Sequence, residues 1–208
     1  LLGDHPRHLY FYKSLKKKYN VLAIIMKREN LVPKLEKNLS KRDSKNFKNH
    51  FRIREKKEKF YFGDLKTSLY SKDINFFLVS KKKLNTQKVK KIIKQFQPDK
   101  CLIFGTQLIK EPIFSILPRF TLNIHLGLSP YYRGSATLFW PFYFLQPDYA
   151  GVTIHKITNK IDSGDILHQV TLKAQPNDGI HDVSCKLIKK ACLDVSKIIS
   201  VSKNKKIK

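Results

Sequence analysis

Short apolar runs rich in Val, Ile and Phe alternate along this chain with amphipathic stretches, the pattern of a mostly parallel β-sheet covered by helices. Strands are predicted at residues 21–26, 75–79, 100–104, 121–124, 151–154 and 166–170. The opening Leu1-Leu2-Gly3 reads as the end of a further strand whose first residues lie outside the sequence. Helices are predicted at 7–19, 86–96, 135–145 and 181–200. In the last of these, Asp178 or Asp182 is a candidate cap, and Val183, Leu187, Ile188, Cys192 and Val195 form an apolar stripe.

The interval 27–60 interrupts this rhythm and reads as a basic insertion, with thirteen Lys or Arg against five acids. A short helix over 49–60 would set His50 and Arg54 one turn apart on one face, as part of a solvated charged surface or as a phosphate or sugar contact. Residues 1–200 are expected to form one domain, and 201–208 a frayed basic tail. No repeat of solenoid period is present.

Composition narrows the class. At 208 residues and 41% hydrophobic content, one α/β domain with its own core is expected. No apolar run reaches the roughly 20 residues of a membrane span, and no secretory leader is visible, so a cytoplasmic protein without a membrane partner is expected. Cys101, Cys185 and Cys192 are odd in number and lack CxxC spacing; they read as small apolar residues, with no metal site. A formal charge of +26 favours anionic partners, though a Lys-, Asn- and Ile-rich composition explains it equally well.

The chemistry concentrates between Thr121 and Leu167. A strand carries Asn123-Ile124-His125, a loop carries Ser129-Pro130-Tyr131-Tyr132-Arg133-Gly134, and a later loop carries Asp162-Ser163-Gly164-Asp165-Ile166. These three elements, with 37 positions from His125 to Asp162, resemble the folate-dependent N-formyltransferase family, whose pattern is Asn-x-His, Pro-x-Tyr-Arg-Gly and Asp-x-Gly-x-Ile. The likeness is specific from about residue 76 to 172 and looser beyond. It departs from the family where Gly127 stands two positions after the histidine, in place of the usual Ser, with Ser129 displaced along the loop.

The resemblance implies a Rossmann-like sheet with helices on both faces, and transfer of a formyl group from 10-formyltetrahydrofolate to a primary amine. Asn123, His125 and Asp162 are the implied catalytic residues. Formyl transfer builds negative charge on an oxygen, which needs an aimed donor, and it moves protons, which needs a carboxylate and an imidazole. Asn123 and His125, two apart on a strand, point to one face. The resemblance assigns Phe104, Gly105, Thr106, Gln107, Leu108 and Ile109 to one wall of a pterin pocket, and Lys160 and Ile161 to the other. Arg7, His8, Ser129, Tyr132, Arg133 and Gly134 are candidate acceptor contacts.

The leading expectation for the acceptor is a nucleotide-linked aminosugar, since Tyr131 to Ala136 and Phe139-Trp140-Pro141 look like the sugar branch and the methionyl-tRNA branch. A methionyl-tRNA formyltransferase is the alternative, favoured by the basic insertion and disfavoured by how little follows Ser200. A glycinamide ribonucleotide formyltransferase ranks third. A non-enzymatic nucleic-acid-binding domain, with the charge as its working feature, is the reading from another class.

Overall fold

A computed structural model describes residues 1–30, 32–70 and 72–204. Among the described residues, seven strands form one sheet in the order β3-β2-β1-β4-β5-β6-β7. They are β1 (Leu2–Gly3), β2 (Ala23–Lys27), β3 (Phe76–Ser80), β4 (Lys100–Phe104), β5 (Phe120–His125), β6 (Val152–Lys156) and β7 (Ile166–Val170). The strands through β5 pair in parallel, while β6 pairs antiparallel with both β5 and β7. The strand order reverses between β1 and β4, and in open α/β sheets such a switch point opens a ligand crevice beyond the strand C-termini.

Helices cover both faces, as the resemblance implies. On one side α1 (Pro6–Lys16), α2 (Lys41–Phe62) and α5 (Ile180–Asn204) enclose a core that includes Phe11, Tyr12, Ile25, Phe104, Leu187 and Val195. On the other, α3 (Gln87–Phe96) and the turns around Ile113 bury Ile24, Met26, Val89, Ile93 and Ile103. The stripe foreseen on α5 is buried throughout. Asp182, inside the first turn, accepts from the Gly179 N–H, so the helix start is held by a carboxylate reaching back.

Two expectations need correction. The helix expected at 135–145 is a single turn, α4 (Trp140–Tyr143). Gly134 and Ala136 both take positive φ, 93° and 57°, which stops a helix from starting there, and Leu145 at 56° ends the turn. The helix expected at 49–60 is instead the 22-residue α2, capped at its start by the Ser40 hydroxyl accepting from the Asp43 N–H and ended at Gly63. Helix α5 continues through Asn204, into the tail foreseen at 201–208, and residues 205–208 lie outside the described residues. Among the described residues, no helix is long and apolar enough to cross a membrane.

Candidate functional site

The C-terminal ends of β1, β4 and β5, with α2, α5 and the loop after β6, surround a cavity of about 1320 Å³. Asn123 and His125 reach it from alternate positions of β5, as the pleat requires. Asp162 arrives from the loop between β6 and β7. Two local features hold that loop: Asp162 takes φ 44°, a left-handed conformation that Asp tolerates, and Gly164 lies so close to the Lys156 carbonyl that any Cβ would collide with it. The Lys156 N–H also donates to the Asp165 carbonyl at 2.9 Å. The Asp-x-Gly spacing is thus the chain's way of folding a carboxylate back over the end of β5.

The three side chains meet. Nδ1 of His125 is 3.2 Å from Oδ2 of Asp162, and Asn123 donates through Nδ2 to Oδ1 at 3.2 Å. The Gly134 N–H adds a third contact, donating to Oδ2 at 3.1 Å. Nε2 of His125 lies 2.7 Å from the Tyr132 carbonyl. A carbonyl only accepts, so Nε2 carries hydrogen and Nδ1 is the nitrogen left to exchange a proton with the carboxylate. Burial pushes the Asp162 carboxyl up, but the neighbouring imidazoles of His155 and His125 and the Gly134 N–H together hold it below its ordinary 3.8. Asp162 is therefore a carboxylate near neutral pH.

His155 is a fourth member that the sequence reading did not single out. It sits opposite Asn123 in the antiparallel β5–β6 ladder and is 3% exposed. Its Nδ1 donates to the Lys156 carbonyl at 2.7 Å, which leaves Nε2 to accept from Asn123 Nδ2 at 3.0 Å, 3.5 Å from the Asp162 carboxylate. A proton on Nε2 would turn that last contact into a charge-assisted bond. The only signal in the sequence was a histidine within an apolar strand, which gains meaning once β6 is known to pair with β5.

The remaining expected residues divide. All six from Phe104 to Ile109 line the cavity, as do Lys160 and Ile161 across from them, with Ile103 and Ile157 adding apolar surface. Ties to neighbours pin the first wall: Gln107 donates to the Lys81 carbonyl at 2.6 Å, and Asn85 to the Leu108 carbonyl at 3.0 Å. Arg7, His8 and Gly134 also line the cavity. Ser129 does not: it is 4% exposed, its N–H donates to Thr153 Oγ1 and its carbonyl accepts from Gln169. The Tyr132 side chain points to Gln146, so Tyr132 serves the site through its carbonyl alone. Arg133 is exposed outside the cavity wall. These three side chains are withdrawn as direct acceptor contacts.

Three comparisons bear on this arrangement. A family model described as formyl transferase matches residues 20–193. The bifunctional polymyxin resistance protein ArnA of Wigglesworthia glossinidia brevipalpis is 32% identical over 113 residues, which are 53% of this chain and 16% of that protein; the chain thus corresponds to a small part of that relative's length. Among solved structures, phosphoribosylglycinamide formyltransferase from Bacillus halodurans aligns with TM-score 0.61 at 14% identity, over 100% of this chain and 97% of that one. The sugar 3N-formyl transferase WlaRD, solved with dTDP and 5-N-formyl-THF, aligns with TM-score 0.59 at 19% identity, over 96% of this chain and 60% of that one. At such identities the two structures speak for the fold.

Proposed function

The chain belongs to the formyl transferase family, and from that premise we propose that it moves a formyl group from 10-formyltetrahydrofolate to a primary amine, with Asn123, His125 and Asp162 as the reacting groups. The observation that carries this reading is the meeting of an amide, an imidazole and a carboxylate, 39 positions apart at their widest, at one edge of a large cavity. The wall of Phe104 to Ile109 facing Ile157 and Ile161 combines apolar side chains with backbone polar edges, which suits a pterin ring. The folate supplies a formyl carbon bonded to a nitrogen that can leave.

The protein's own part is electrostatics and proton transfer. The amine attacks the formyl carbon, the bond from that carbon to the folate nitrogen breaks, and the products are an N-formyl amine and tetrahydrofolate. Negative charge grows on the formyl oxygen, and the donors available to it are the Asn123 amide and, once Nδ1 has taken up a proton, the His125 ring. Both now contact Asp162 at 3.2 Å, the long end of hydrogen bonding, so turning toward a reacting oxygen costs them little. Asp162 takes the proton that the amine loses and returns it, directly or through His125, to the departing folate nitrogen. His155 holds the Asn123 amide from behind.

The acceptor proposed is a nucleotide-linked aminosugar, supported by the cationic and aromatic surface of the same cavity. The test is incubation with 10-formyltetrahydrofolate and a panel comprising aminosugar nucleotides, formylatable tRNA and glycinamide ribonucleotide. A formylated mass is expected with an aminosugar nucleotide. Release of formate with no formylated acceptor would instead mark a hydrolase and refute the transfer.

A further inference from the structure

Outside the cavity, a knob of exposed apolar side chains surrounds the single turn α4: Tyr131, Trp140, Tyr143, Phe144, Leu145 and Tyr149. Their rings lean on one another. Trp140 lies 5.8 Å from Tyr143 and 6.1 Å from Phe144, and Tyr131 lies 5.3 Å from Tyr149. The Tyr132 hydroxyl ties the two groups together by donating to Gln146 at 2.9 Å. From Gly134 to Pro147 no residue is charged, although 28% of the chain is, so no charge breaks the surface between Arg133 and Asp148. Leu145, at the tip, is 88% exposed and takes φ 56°. Water and that backbone conformation both disfavour a Leu, so the fold itself gives no reason for one there. A contiguous apolar surface of this kind marks an interaction site.

Cations stand beside it. The Phe139 ring couples α4 to α2, lying 5.7 Å from His50. Between Lys41 and Arg52, α2 carries five cations and one acid, and Lys41, Arg42, Lys45, Lys48 and Arg52 are all exposed. None of the five takes part in an ion pair among the described residues. Arg133, also exposed, flanks the rings at the start of the uncharged segment.

We propose that this knob and the basic first half of α2 dock the protein on the surface of an anionic phospholipid bilayer, with Leu145, Phe144 and Tyr143 at the boundary of headgroups and acyl chains. Such docking goes beyond formyl transfer and needs no membrane-spanning helix. Trp and Tyr suit that boundary because one end of each ring is apolar and the other is satisfied by water or headgroups. Apolar burial and attraction to anionic lipid add, and each cation near such a leaflet is worth about fivefold in binding. Two other occupants fit less well. A surface for single-stranded RNA combines stacking rings and cations in one groove, whereas rings and cations are segregated here. A second copy brings its own charge of +26, and that repulsion opposes association. Phe139 also lines the cavity, so the docked face borders the candidate site.

Trp140 is the single tryptophan of the chain, so its emission reports on the knob directly. The test titrates the full chain with vesicles of phosphatidylcholine alone and of phosphatidylcholine and phosphatidylglycerol in equal parts. With the anionic vesicles the emission is expected to shift to the blue and to be quenched by brominated acyl chains, and added salt should weaken binding. Phosphatidylcholine alone should bind about tenfold or more weakly, since each cation counts about fivefold. Leu145→Asn removes the apolar tip while tolerating the left-handed backbone, and should weaken anionic binding about tenfold. Lys45→Glu combined with Lys48→Glu should weaken it at least about tenfold. His125→Ala should dock as wild type does, so docking and the catalytic assignment are tested separately. The proposal is overturned if anionic vesicles do not bind, or if they bind without shifting or quenching Trp140, which marks attraction by charge alone. It is also overturned if Leu145→Asn docks as wild type does, if a single-stranded RNA oligonucleotide binds more tightly than the vesicles, or if the chain is a dimer that Leu145→Asn separates.

Discussion

A Cβ added at Gly127 would lie 2.8 Å from Nε2 of His125 and 2.6 Å from the Tyr132 carbonyl oxygen. The His125 ring and the carbonyl that orients it therefore occupy the space of any side chain at 127, which accounts for Gly where the family resemblance leads one to expect Ser. Gly127→Ser must push the ring off the Tyr132 carbonyl, and displacements of about 1 Å at a reacting group cost about a hundredfold in rate. The expected result is a fall in kcat of that order with little change in the KM for the folate, read from steady-state kinetics. At this scale the sequence was most informative where residues act as a set. Asn123, His125 and Asp162 were legible from order and spacing, while Ser129, Tyr132 and Arg133 were misread because proximity in a motif says nothing about where a side chain turns. His155 was missed because its role comes from a cross-strand neighbour.

Among the elements, the bounds foreseen for β4 and β7 match those observed, since apolar runs bracketed by polar turns leave few alternatives. The segment 135–145 misled because its apolar residues suit a helix in composition, while Ala136 and Leu145 sit at positive φ. Helix α2 was harder to read. Its inward residues include Arg54 and Glu58, which a search for apolar stripes counts as solvent-facing, and only the cavity explains their burial. Its C-terminal end offers a test free of packing effects. Gly63 has φ 83° and ψ 178°, and a Cβ there would meet nothing within 4 Å. Gly63→Ala should thus pay for backbone strain alone, about 1–3 kcal/mol by denaturant unfolding.

Over the whole molecule, four buried or half-buried histidines make stability depend on pH. His5, His8, His50 and His181 are all held below their ordinary 6.5, by burial first and then by neighbouring histidines and arginines. The unfolded chain takes up protons at these positions as pH falls through 6.5, whereas the folded chain does not until about 4 at His181 and about 2 at His5. The unfolded state binds more protons across that window, so stability must rise with pH from about 4 to 6.5. Asp73, Asp162 and Asp182, all held below 3.8, add loss in the same direction at still lower pH. Calorimetry from pH 7.5 to 5 should show a falling Tm, and His181→Gln should flatten the slope. The α/β class and the two covered faces were legible from the alternation of runs; the assembly of a cationic wall from α1, α2 and the loop after β2 was not, because those residues lie far apart in sequence.

The central claim is that the Asp162 carboxylate, brought to His125 and Asn123 by the left-handed turn after β6, moves the proton that formyl transfer requires. Turnover of Asp162→Asn with 10-formyltetrahydrofolate and the acceptor found in the panel tests it most directly, alongside the Kd for 5-formyltetrahydrofolate. The account predicts a loss of turnover of about a hundredfold or more, with the folate Kd unchanged within about threefold. An Asp162→Asn protein that turns over at the wild-type rate would contradict it.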